Sequence, residues 1–213
     1  MDPYIYSLIS TYVPEHAEIL TNMAEGKLIK EERENMTYAN GVLHSFDDKP
    51  VKTEFGYQYW YKLGKLHRDN DLPALICTYG VGRDWYQNGK LHRDNDLPAA
   101  IRNSGTQEWY QNGRLHRNFD RPAVIWDHGT QEWYKNGKIH RDGDEPAVIV
   151  NSGTKYWYQN GNLHRDGDKP AVSSVDGTRC WYKNGQLHRD NDLPAIVRAD
   201  GTQEWYKNGN LVL

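Results

Sequence analysis

The sequence predicts a mainly β chain: an elongated, single-layer antiparallel sheet of about eight β-hairpin repeats, preceded by a short helical cap over residues 1–36. Three observations carry that prediction. Trp-Tyr recurs at positions 60, 85, 109, 133, 157, 181 and 205, a period of 24 residues that is once 25. An Asn-Gly dipeptide follows nearly every one of these pairs, flanked by short alternating segments. The apolar content is sparse and aromatic: 37% hydrophobic residues, 8 Trp and 15 Tyr against 3 Phe, with a mean hydropathy of −0.93. Self-similarity at this period marks a stacked array, and rings with a polar handle suit half-wet faces better than a large core.

The repeating unit has the form G-T-Q-E-W-Y-K-N-G-K-L-H-R-D-x-D-x-P-A-V-I. From Trp60 onward each Trp-to-Pro interval is 13 residues, whereas Pro-to-Trp is 11, or 12 between Pro73 and Trp85. Length change is therefore confined to turn-forming stretches such as Asn151-Ser152-Gly153-Thr154, where an exposed loop absorbs it. An eighth, weaker copy runs from Tyr38-Ala39-Asn40-Gly41 to Asp48-Lys49-Pro50; it lacks the Trp and has Ser45 in place of Arg.

Type I′ turns need a positive φ at both central residues, which makes Asn-Gly the strongest short hairpin signal. Leu63-Gly64 departs from it, so Leu63 either strains the turn or forces another type. A two-residue loop sets the register: Lys135 faces Lys138, Tyr134 faces Ile139, Trp133 faces His140 and Glu132 faces Arg141. Alternation then puts Trp and His on one face, with Tyr, Leu or Ile, Glu and Arg on the other. The acid–Arg pairing is expected again at Asp84–Arg93 and Glu108–Arg117 but lapses at Tyr156 and Cys180.

Residues 1–36 follow a different pattern. Asp2 with Pro3 suits a helix start, with Ile5, Leu8, Ile9 and Tyr12 on one stripe, and a second helix is expected from Pro14 to Glu25 before Gly26. A helical cap would shield one sheet edge, and a pair of adaptor helices is the functional alternative. Residues 37–213 form the array, ending in Leu211-Val212-Leu213. Trp205, Tyr206, Leu211 and Leu213 are the expected contacts of an end-to-end homodimer or a protein partner.

The recurrent spacing of aromatic residue, Gly and His over residues 37–213 resembles the MORN repeat, and the Trp-Tyr-x-Asn-Gly-x-Leu form is similar to its variant class. The unit departs from that pattern in having Arg-Asp-x-Asp-x-Pro where a Gly-rich strand usually follows His. The resemblance implies an elongated single-sheet hairpin array acting as a scaffold, adaptor or membrane-associated linker, in several cases dimerising through terminal repeats. The Asn-Gly and His-Arg-Asp composition also resembles repeat proteins of large DNA viruses of amoebae.

His-Arg-Asp is also a kinase catalytic-loop signature, but here it recurs with no Gly-rich phosphate loop or Asp-Phe-Gly beside it, so no enzymatic activity and no catalytic residue are expected. Equivalent histidines two strands apart lie roughly 9.6 Å apart, beyond the reach of one Zn²⁺, so no metal or other cofactor is expected. Asp-x-Asp-x-Pro offers oxygens to Ca²⁺, yet Asx turns explain it as well. The candidate binding face is the ladder of Trp85, His92, Trp109, His116, Trp133, His140, Trp157, His164, Trp181 and His188.

With Lys+Arg 26 against Asp+Glu 29 spread along the chain, no basic stripe points to nucleic acid. The acidic start Met1-Asp2-Pro3, and the lack of an apolar run long enough to span a membrane, favour a cytoplasmic protein, in a host cell or a virion if viral. Cys77 and Cys180 are expected to remain unbridged. The expectation is a non-enzymatic structural or protein-interaction scaffold. The alternatives are a lipid-surface adaptor, suggested by lysines such as Lys135 and Lys138, and a Ca²⁺-dependent binding module.

Overall fold

The computed structural model describes residues 30–33 and 36–212. Every regular element among them is a β-strand. The helices expected over residues 2–12 and 14–25 lie outside the described residues. Strand Lys30–Arg33, on the N-terminal side of the expected boundary at residue 36, pairs antiparallel with Met36–Ala39. The chain forms two compact units, one ending at Lys90 and the other beginning at Leu91.

In the second unit ten two-residue strands pair antiparallel in sequence order, from Ala100–Ile101 and Gln107–Glu108 to Ile196–Val197 and Gln203–Glu204. Each Gln-Glu-type strand before the last lies between two Val-Ile-type strands: Glu132 is opposite Val124 on one side and Val148 on the other. The Asn-Gly hairpins form separate two-stranded sheets, with Tyr134 opposite Ile139 and Lys135 opposite Lys138, in the register the turn predicts. The first unit repeats the plan with strands Lys52–Glu54, Tyr57–Tyr59, Leu75–Cys77 and Arg83–Asp84, beside hairpins at 36–43 and 61–66.

Each full repeat thus contributes four short strands to two ladders, where the sequence pattern suggested two strands, the second interrupted near Asp-x-Asp-x-Pro. Trp is the pivot between them. The Trp133 amide N–H donates to the Ala147 carbonyl at 2.8 Å, while its own carbonyl accepts from the His140 N–H at 3.0 Å. One residue serving both ladders sits at their junction, so its ring is enclosed: Trp60, Trp85, Trp109, Trp133, Trp157 and Trp181 are 4–8% exposed. The Ala after each Pro is fully buried, from Ala74 to Ala195. In these six repeats a methyl fills the space between the ladders.

The turns follow local chemistry. Asn136 has φ 53° and Gly137 φ 85°, the type I′ signature. Leu63 adopts φ 48° in the same turn, so this leucine is held in the left-handed region rather than changing the turn type. In the Asp-x-Asp loops the middle residue is also left-handed, which explains Asn70, Asn95, Gly143, Gly167 and Asn191 there. Phe119 (φ 61°) is the exception, its ring 80% exposed.

Candidate functional site

The candidate site is the Trp-His-Arg-Asp constellation at the junction of the ladders. After His140 the chain leaves the hairpin ladder, so alternation no longer sets side-chain direction and Arg141 folds back over its own repeat's tryptophan. Its guanidinium carbon lies 4.1 Å from the Trp133 ring centroid. The arrangement recurs at Trp60, Trp109, Trp157 and Trp181, with distances of 3.7–3.8 Å. Stacking on an electron-rich face with the fork free to bind a carboxylate is what a guanidinium does and an ammonium does not.

That carboxylate is supplied by the preceding repeat. Arg141 donates through Nε and Nη2 to the two oxygens of Asp120, at 2.8 and 2.7 Å. Arg68–Asp48, Arg117–Asp96, Arg165–Asp144 and Arg189–Asp168 repeat this fork. Nη1 is spent on the proline carbonyl five residues on, Pro146 for Arg141. The arginine hydrogen bond holds the Asp120 and Asp168 carboxyls below the usual carboxylate range, and burial only partly opposes it. The backbone of the same aspartate completes the joint: Trp133 Nε1 donates to the Asp120 carbonyl at 3.1 Å.

The predicted Glu–Arg contact across the strand is therefore not made. Arg117 and Arg141 share a face with Trp109 and Trp133, while Glu108 and Glu132 belong to the other ladder and accept from Tyr110 and Tyr134 hydroxyls at 3.0 Å. Burial, and then the nearby Glu108 carboxylate, push the Tyr110 phenol up to about 12.

Each ladder histidine faces two ways. His140 Nδ1 accepts the backbone N–H of Asn160 in the next hairpin at 3.1 Å, and Nε2 lies 2.9 Å from Asp142. Accepting an N–H requires an unprotonated Nδ1, so the ring proton sits on Nε2 and is donated to the carboxylate. His67, His92, His116, His164 and His188 accept likewise from the following turn, and His44 from Leu63. Neither aspartate of Asp-x-Asp makes the expected Asx turn in this repeat: Asp142 takes His140 and Lys135, while Asp144 takes Arg165 and Lys169.

No family model matches the chain, and no curated protein matches it.

The ten predicted ladder residues thus lie side by side at the joints, but the tryptophan rings are interior. What faces outward is a series of open polar grooves between successive loops. One of about 540 Å³ is lined by His140, Asp142, Trp157, Gln159, His164 and Lys169. A second of about 430 Å³ lies among Arg117, Phe119, Trp133 and Lys135. Among the described residues no group of three His, Cys, Asp or Glu side chains is placed to hold a metal ion.

The threonine row was not singled out from the sequence. Thr106 and Thr130 are buried and accept the backbone N–H groups of Asp127 and Asn151 from the next repeat's turn. Thr recurs with the period, but a hydroxyl's partner across strands cannot be read from spacing alone. At the C-terminal edge Trp205 and Tyr206 are half-buried, Leu211 is 62% exposed, and Leu213 lies outside the described residues.

Proposed function

We propose that the chain is a non-enzymatic structural or protein-interaction scaffold of MORN type: an elongated, single-layer hairpin array offering repeated surface to a protein partner. One observation carries this. The recurring polar side chains are engaged in joining one repeat to the next, the Arg–Asp fork, the His–N–H bond and the Thr–N–H bond each spanning about one period. Residues that close joints at every step are occupied by the array, and nearest-neighbour links of this kind stiffen a solenoid. Contact then falls to exposed groups that differ between repeats, such as Phe119 and Glu145. A viral source agrees with the repeat composition.

Small-angle scattering combined with partner capture tests the proposal. A radius of gyration well above the ~17 Å of a compact chain of this length is expected. So is capture of a partner that exposed-residue substitutions in the grooves abolish without lowering the melting temperature. A compact scatterer would sink it.

A further inference from the structure

The last tryptophan of the array differs from the inner ones in the residues seven and eight positions on. In each inner joint described above, three parts meet: the Trp ring, the Asp two residues before the preceding repeat's Pro, and an Arg eight residues after the Trp. For Trp205 two of the three are present in the same geometry. Its Nε1 donates to the Asp192 carbonyl at 3.1 Å, as Trp181 Nε1 does to Asp168 at 3.0 Å. Asp192 also keeps the left-handed backbone of Asp168, with φ 53° against 52°. The third part is replaced: position 213, eight residues on, is Leu, and position 212, where each inner repeat has His, is Val. The loss comes from residue identity, so it does not depend on whether further chain follows.

The ring and the carboxylate also differ from those of an inner joint. Trp181, under Arg189, is 8% exposed, whereas Trp205 is half-buried. Asp168 receives a two-pronged arginine at 2.7 and 2.9 Å; among the described residues no cation stands at the corresponding place on Asp192. An aromatic face beside a carboxylate, both fixed by a backbone hydrogen bond, is a preformed guanidinium socket whose occupant is drawn to scale in the preceding repeats.

From this we infer that the Trp205–Asp192 corner binds an arginine side chain presented by an extended protein segment. The inference deepens the scaffold proposal by giving the chemistry of the partner at the C-terminal edge, and it rests on that proposal for the edge being a contact surface. The inner joints supply the segment's pattern, Arg followed five residues later by Pro and then Ala, because Arg189 Nη1 donates to the Pro194 carbonyl and the Trp181 N–H to the Ala195 carbonyl. Arginine is required over lysine by the fork and the stacking together.

The test is titration of the full chain with a peptide of its own residues 188–197, His-Arg-Asp-Asn-Asp-Leu-Pro-Ala-Ile-Val, followed by calorimetry and tryptophan fluorescence. A second peptide carries citrulline, which keeps the shape and loses the charge, in place of arginine. Saturable 1:1 binding is expected, weakened at least about tenfold by citrulline and to a similar extent by Asp192→Asn, a substitution that a left-handed position tolerates. Leu213→Arg should fill the socket from within and block the peptide. If sedimentation shows a dimer that Asp192→Asn dissolves, a second copy supplies the guanidinium and the inference stands. No saturable binding, or binding indifferent to citrulline or to Asp192→Asn, overturns it. An elongated scatterer with intact partner capture alongside that null result would leave the scaffold proposal in place.

Discussion

Arg141 grips Asp120 of the preceding repeat through two hydrogen bonds of 2.8 and 2.7 Å while its guanidinium lies on the ring of Trp133, which itself hydrogen-bonds the Asp120 backbone. The three residues form a closed triangle across the joint between repeats. Asp120 is 57% exposed but Arg141 only 13%, so the pair is a half-sheltered fork with a packing contribution from the arginine stem, not a solvated surface bridge. Arg141→Ala is expected to cost about 2 kcal/mol and Arg141→Lys about 1. In a double-mutant cycle with Asp120→Asn the coupling should exceed ~0.5 kcal/mol. Additive single effects in urea unfolding would show that the triangle is not an energetic unit.

Leu63 is the one place where an Asn-Gly turn lacks its asparagine, and it keeps the left-handed conformation at φ 48° with its side chain 50% exposed. A branched side chain there costs roughly 1–2 kcal/mol that Asn largely avoids, and half-exposed Leu has little burial to lose. Leu63→Asn should therefore stabilise the protein by about 1 kcal/mol, read as a raised urea midpoint at unchanged slope. A lowered midpoint would mean that Leu63 packing outweighs the backbone term.

Ala147 is 0% exposed where its carbonyl accepts from Trp133 and its N–H donates to Tyr156. Larger side chains cannot be seated without parting the ladders. Ala147→Leu is expected to destabilise by about 1–3 kcal/mol, and the same change at exposed Ala199 by less than about 0.5. Equal tolerance at both sites in thermal melts would contradict the tight joint.

Stability should peak on a plateau between about pH 6.5 and 10. Burial, then the neighbouring Lys62 charge, lower the His44 pKa below its ordinary 6.5, against a smaller opposing pull from Asp69. Its contribution is present above pH 6.5 and lost as pH falls through the folded value, where a protonated Nδ1 can no longer accept the Leu63 N–H. Asp48, Asp120 and Asp168 are lowered by their arginines, so their contribution holds above the ordinary 3.8 and disappears below it. Tyr110, raised to about 12 by burial and Glu108, contributes below pH 10 and loses that contribution toward 12. Urea midpoints across this range, with phenolate absorbance on the alkaline side, measure it. A maximum below pH 6, or a full complement of tyrosines ionising near pH 10, would contradict the assigned environments.

The hairpins were legible because Asn-Gly dictates backbone geometry within two residues, and the structure keeps the predicted Tyr134–Ile139 and Lys135–Lys138 register. The arginine's partner was misassigned by carrying alternation past His140, where the strand ends. A clue was present: the acid opposite Arg lapses at Tyr156 and Cys180, yet the arginines persist at 165 and 189, as does the second Asp of each loop at 144 and 168. Arginines that outlast one set of acids and track another point to the second.

By itself the sequence determined the repeat length, the turn type and which residues recur, since these follow from local dihedral preference and periodicity along the chain. Only the tertiary structure decided that tryptophan joins two ladders and that each Arg reaches back to the preceding repeat's Asp. Those facts depend on where the chain leaves one ladder for another. That choice is made by packing between repeats, through contacts about twenty residues apart, and has no local signature.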